Sequence, residues 1–217
     1  MRMNIERIDT TSDFEYILRD DLLSLSQEKQ GPLHIALPGG RSVSPLMRAL
    51  LSLPEETLGR THLYLVDERL EGERNEDTLR EAGLQAALDQ GATLSVVSEG
   101  NILSEDPFDR LYLGVGEDGH IASLFPGSWP SDTEAQTMIV KDSPKPPKKR
   151  VTLSWQGFLT LAKEAKIYLI FLGEGKREAL TRLLSGKEDA HTLPCSFFVH
   201  HPFHGTIIVT DLREDTP

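Results

Sequence analysis

Short apolar runs separated by amphipathic stretches recur along almost the whole chain, and this alternation limits the fold more than any other feature. Residues 33–37 (LHIAL) read as a strand. Residues 43–52 read as a helix, with Val43, Leu46, Met47, Leu50 and Leu51 at helical spacing. Residues 62–66 form a second expected strand, followed by a helix over about 77–89. Segments 93–97, 111–115, 151–154, 167–172 and 206–210 continue the strand series, with further helices near 12–26 and 176–184. Strands that alternate with helices connect by right-handed crossovers. The expected architecture is α/β: a three-layer, mostly parallel sheet with helices on both faces. Ligands of such sheets bind beyond the carboxyl ends of the strands.

The chain has 217 residues, enough to bury one full core, and 1–217 reads as a single domain without repeat or linker. The formal net charge is -11, a field that repels nucleic acid and anionic membranes and excludes both as general partners. A phosphorylated substrate would therefore need cations gathered at its site. The lone cysteine, Cys195, has no partner for an internal disulfide, which fits a reducing compartment. It lies in the apolar stretch LPCSFF and reads as a small buried side chain. The first residues show no apolar signal segment, and the longest apolar run, 167–172, is too short to span a bilayer. The expected location is the cytoplasm.

Four segments carry candidate chemistry. LPGGRSVSPL (37–46) joins a strand to a helix through Gly39 and Gly40, which allow close backbone approach. Ser42 and Ser44 can cap the helix, Arg41 adds charge, and free helix N–H groups attract an anion. A plain tight turn would look the same. VDERL (66–70) places Asp67, Glu68 and Arg69 directly after an apolar strand, as either a functional cluster or a surface ion pair. LYLGVGEDGHIASLFPGS (111–128) ends a strand in glycines and then crowds Glu117, Asp118 and His120 into one turn. Histidine is the usual proton-transfer group near neutral pH, and a nearby carboxylate fixes its tautomer. FLGEGKREAL (171–180) puts Lys176 at a helix start, which opposes the helix dipole unless an anion sits there. Arg150, after the proline- and lysine-rich loop SPKPPKK, supplies another cation; solvated surface charge is the plainer reading of both.

HHPFH (200–204) invites a metal reading, but Pro202 breaks any helical spacing and no zinc motif accompanies it, so no metal is expected. His34, His62 and His191 are isolated. Trp129 and Trp155 read as packing residues.

Taken together, LGVGEDGHIASLFPG, VDER with Asn75, KPPKKRVTLS and GEGK resemble the 6-phosphogluconolactonase family, in order over about 33–180. The phosphate loop departs from the common GGSTP, the usual proline shortly after DER is absent, and the last quarter matches poorly. The resemblance implies a NagB/RpiA-like fold and hydrolysis of 6-phospho-D-glucono-1,5-lactone in the pentose phosphate pathway, with no cofactor and no metal. It implies His120 as general base, Arg69 at the developing oxyanion and Asp67 as an orienting group for Arg69 or a sugar hydroxyl. Gly39, Gly40, Arg41, Ser42, Arg150 and Lys176 would hold the phosphate, and Asp118 and Gly119 would contact substrate. The expected partner is a small sugar-phosphate lactone, bound by a monomer or weak dimer. The rivals are a glucosamine-6-phosphate deaminase or isomerase and a non-catalytic sugar-phosphate sensor. The first usually follows its DGH with Phe-Asn-Glu, which is missing here; the second would normally carry a DNA-binding segment.

Overall fold

The computed structural model describes residues 4–100, 102–127, 134–201, 203 and 205–213, with only the backbone of Arg41. Trp129, Pro202 and His204 lie outside the described residues. Strands β1 (Asn4–Arg7), β2 (Leu33–Leu37), β3 (Thr61–Leu65), β5 (Thr93–Val96), β6 (Arg110–Gly114), β9 (Lys166–Phe171) and β10 (Gly205–Thr210) form one seven-stranded sheet. Its order is β1-β10-β9-β6-β2-β3-β5, and every pair is parallel.

Strand alternation sorts side chains between two cores. Leu33, Ile35, Leu37 and Tyr112 join the core under α1 (Thr11–Glu28), α2 (Val43–Leu51), α3 (Glu55–Leu58), α4 (Asn75–Glu81) and α5 (Leu84–Asp89). Ala36, Leu111 and Leu113 face the core under α6 (Trp155–Leu161), α7 (Arg177–Ser185) and α8 (Phe197–His200). Burial on both faces is why these strands read as continuous apolar runs. None of the described helices is long and apolar enough to cross a membrane.

Two expectations change. The helix expected over 77–89 is two, because Gly83 adopts φ +106 between α4 and α5. The strand near 151–154 does not join the parallel sheet. As β8 (Arg150–Leu153) it pairs antiparallel with β4 (Asp67–Arg69) and β7 (Thr137–Val140). β4 is a short, fully charged strand with no apolar period, so its pairing depends on a partner far along the chain.

The winding reverses between β2 and β6. From β2 the chain moves outward to β3 and β5; from β6 it moves the other way to β9 and β10. Adjacent connections diverge there and leave a crevice at the strands' carboxyl ends.

Candidate active site

The crevice takes one wall from each side. After β2, Gly39 passes so close to Asn75 that a Cβ would overlap the Asn75 side chain, and Gly40 needs its φ of +77. The expected serine cap is not made. Residues Gly40–Ser42 form a 3-10 turn, and Ser42 makes no side-chain capping bond. Ser42 is buried instead, with its Oγ below Gly114. The Arg41 side chain lies outside the described atoms.

After β6, the chain turns through Gly116 and Gly119, and a Cβ at Gly116 would overlap the His120 ring. His120 Nδ1 lies 2.5 Å from Asp118 Oδ1, and Phe125 packs beside the ring at 4.6 Å. A carboxylate can only accept, so Nδ1 carries a proton, and in the neutral ring Nε2 is the nitrogen that keeps its lone pair. Partial burial pushes the Asp118 carboxyl up. The hydrogen bond and charge of His120 outweigh burial, helped by the His120 backbone N–H and by Lys145, and hold it well below the usual carboxylate range. Lys145 Nζ lies 3.5 Å from the same Oδ1.

β4 and β8 bring in the charged residues. Glu68 is buried and structural: it accepts from the backbone N–H groups of Asn75 and Glu76 and so caps α4. Arg69 and Arg150 stand directly opposite one another in the antiparallel pair, an unfavourable like-charge placement. In a chain of net charge -11, this is the local cation concentration that an anionic ligand requires. Arg69 Nη1 reaches the Glu73 carbonyl at 3.2 Å, but its buried Nε has no hydrogen-bond partner among the described residues. Arg150 donates to the carbonyls of Pro147 (3.1 Å), Lys145 (3.3 Å) and Pro146 (3.0 Å). Much of its guanidinium is therefore spent on pinning the loop that carries Lys145.

Asp67 is buried and forms no ion pair with Arg69 among the described residues, so the arginine-orienting role expected of it is not made. Its Oδ2 accepts from Ser123 Oγ at 2.7 Å. Burial pushes the Asp67 carboxyl above its ordinary value; the Ser123 bond and the charges of Arg150 and His120 oppose this, and Glu68 adds to it.

Gly39, Gly40, Asp67, Arg69, His120 and Arg150 line one cavity of about 130 Å³, joined by Asn75 and Ala122. Asp118 stands behind His120, and Gly119 (φ +84) packs its far side against Leu193. Lys176 is not part of the lining; it is half-buried on the 3-10 turn before α7, where Gly175 abuts Glu117 of the His120 turn. Nothing local in the sequence ties Ser123 to Asp67 or Lys145 to Asp118, since each pair is far apart in the chain.

The family model for glucosamine-6-phosphate isomerases/6-phosphogluconolactonase matches residues 18–209. The chain belongs to this family. A 6-phosphogluconolactonase of Borreliella burgdorferi is 27% identical over 94% of this chain and 95% of its own. The crystal structure of a 6-phosphogluconolactonase from Shewanella baltica superposes with TM-score 0.78 at 24% identity, over 96% of this chain and 97% of that one. A monomeric glucosamine-6-phosphate deaminase superposes almost as well, with TM-score 0.74 at 18% identity over 96% and 97% of the two chains. Membership of the glucosamine-6-phosphate isomerase/6-phosphogluconolactonase family thus sets the fold, and the side chains of the crevice must distinguish the reactions.

Larger hollows lie elsewhere. One of about 700 Å³ lies by Gly186, His200 and His201. There His200 Nε2 bonds the Glu188 carbonyl and His201 Nδ1 the Phe197 carbonyl, which is a structural use of both rings. No group of three His, Cys, Asp or Glu is placed to hold a metal among the described residues. Cys195 is buried, and burial pushes its thiol up to about 12, so it is no nucleophile at neutral pH.

Proposed function

We propose that this chain hydrolyses 6-phospho-D-glucono-1,5-lactone to 6-phospho-D-gluconate in the pentose phosphate pathway. The carrying observation is the Asp118–His120 pair at the switch point, which makes Nε2 the proton-accepting nitrogen of the neutral imidazole beside a cavity walled by two arginines. Relatives that bear the 6-phosphogluconolactonase name support this reading.

A δ-lactone is an activated ester, so water suffices as nucleophile. Its oxygen adds to C1 while His120 Nε2 takes its proton, a contribution of roughly 10²–10⁴-fold. The carbonyl oxygen becomes an oxyanion, and the unpartnered Nε–H of Arg69 is the donor available to meet it. Collapse breaks the bond from C1 to the ring oxygen, which takes the proton back from His120. Asp67 accepts from a sugar hydroxyl through the carboxylate oxygen that Ser123 does not occupy. The phosphate is held by the Gly39–Gly40 turn with Arg41 and Ser42, by the remaining Arg150 donor, and by Lys176. The enzyme acts as one domain in the cytoplasm, as a monomer or weak dimer, without cofactor or metal.

Deaminase or isomerase chemistry is disfavoured because His120 is followed by Ile121, Ala122 and Ser123, without the glutamate of the Phe-Asn-Glu sequence. The test is incubation with freshly made lactone, with spontaneous hydrolysis subtracted, beside a parallel arm with glucosamine 6-phosphate. Faster acid release from the lactone alone supports the reading. Ammonia release from the amino sugar, with no effect on the lactone, would overturn it.

A further inference from the structure

Asp67 is a buried carboxylate on the cavity wall with few partners among the described residues. Ser123 supplies its side-chain hydrogen bond, while Asn75 Nδ2 bonds the Asp67 backbone carbonyl at 3.0 Å instead. The charged groups that act on it are Arg150 from β8, His120 from the turn after β6 and Glu68 beside it on β4; Arg69 lines the same cavity. None makes an ion pair with it among the described residues. Ser123 is itself fully buried, and its backbone N–H donates to Thr152 Oγ1 at 3.3 Å. The residue before it, Ala122, is held at φ +48, a left-handed conformation that costs a non-glycine residue about 1–2 kcal/mol. That strained turn sets His120 and Ala122 on the cavity wall and buries Ser123 against Asp67.

We propose that Ser123 is a positioning residue for the reaction: its hydroxyl fixes which oxygen of Asp67 faces the substrate and keeps that carboxylate ionised while His120 carries the proton. The proposal rests on the lactonase reading. Ionised Asp67 offers the imidazolium an opposite charge and the sugar an acceptor; protonated Asp67 offers neither. Burial favours the protonated form, and the Ser123 bond is the foremost of the interactions that oppose it, ahead of the charges of Arg150 and His120.

The experiment compares the parent with Ser123→Ala, Ser123→Thr and Ser123→Cys. In the ligand-free proteins, the ¹³Cγ resonance of Asp67, assigned by its loss in Asp67→Asn, is titrated with pH. Loss of one charge-assisted hydrogen bond should raise its midpoint in Ser123→Ala by about one pH unit, tenfold in proton affinity. Ser123→Thr should restore it, and the weaker thiol donor of Ser123→Cys should fall between. In turnover, Ser123→Ala should lose kcat more than KM, with the loss deepest at acid pH and shrinking as Asp67 ionises. An unmoved Asp67 midpoint overturns the proposal. So does a rate loss that is equal at every pH and unrelieved by Ser123→Thr, which would mark Ser123 as packing alone. If the parent does not hydrolyse the lactone, the functional reading fails separately, and the titration still decides whether Ser123 controls Asp67.

Discussion

Two buried aspartates stand at opposite ends of the main sheet, and their surroundings differ in kind. Asp21, from α1, reaches the amino ends of β6 and β9. It accepts from Arg110 Nε at 2.5 Å, Lys166 Nζ at 2.6 Å and Tyr112 OH at 3.3 Å. Burial raises its carboxyl, but Arg110 and then Lys166 outweigh burial and bring it below its ordinary value. Asp67, at the carboxyl end, has one serine and lies above its ordinary value. The same side chain is therefore compensated where it joins a helix to strands and left under-compensated where it faces a cavity. Strained and incompletely partnered groups gather at the second end: Ala122, Arg69 Nε and the facing pair Arg69 and Arg150. Such imbalance costs stability, and it is retained where a ligand supplies the missing partner.

The largest effect expected from breaking this contrast is at His120. His120→Ala should keep the fold and lose roughly 10²-fold or more in turnover, measured at pH 7.5 with spontaneous hydrolysis subtracted. A variant within threefold of the parent would remove His120 as the base.

At the other end, Asp21→Asn should leave turnover unchanged and cost about 3 kcal/mol in denaturant unfolding, because Arg110 is left buried without its counter-charge. Lys166, more than a third exposed, adds little to that figure. The acid response has a definite sign. The Asp21 carboxyl is lower in the folded than in the unfolded chain, so its stabilisation is present at neutral pH and disappears as pH falls through the carboxylate range. Asp21→Asn should flatten that acid loss; an unchanged unfolding profile would show that the cluster contributes nothing.

Lys176→Ala should weaken use of the phosphorylated lactone by about tenfold and barely affect the lactone without phosphate. Equal losses on both would move Lys176 out of phosphate binding and narrow the site to the residues that line the cavity.

The smallest effect sharpens the contrast most directly. Asp67 is raised in the folded state, so its ionised form costs stability at neutral pH and that cost declines as acid protonates it. Asp67→Asn should therefore raise stability by about 1 kcal/mol while turnover falls. A destabilised Asp67→Asn would mean that the carboxylate serves the fold rather than the reaction.

Much of this was readable in advance because it is local. The strands at 33–37, 62–66, 93–97, 111–115, 167–172 and 206–210 appear within a residue of their expected bounds: burial on two faces writes an apolar run into the central ones, and the edge strand at 93–97 alternates exposed and half-buried residues. The Asp118–His120 contact was also within reach, because both residues belong to one glycine turn. The break at Gly83 was not, because a helical apolar spacing continues across it.

Sequence alone thus determined the α/β class, the parallel sheet and the glycine turn that carries Asp118 and His120, all products of spacing over a few residues. Only the tertiary structure decided the rest. It paired charged β4 with β8, set Arg69 against Arg150, diverted Arg150 to three loop carbonyls, brought Lys145 to Asp118 and joined Ser123 to Asp67. Apart from the Arg150 bonds, which reach only three to five residues back, each of these contacts links segments far apart in the chain, and none of their side chains follows a hydrophobic period. Their partners are chosen by the demand of buried charge and buried N–H groups for compensation, which arises only once the chain has closed around them.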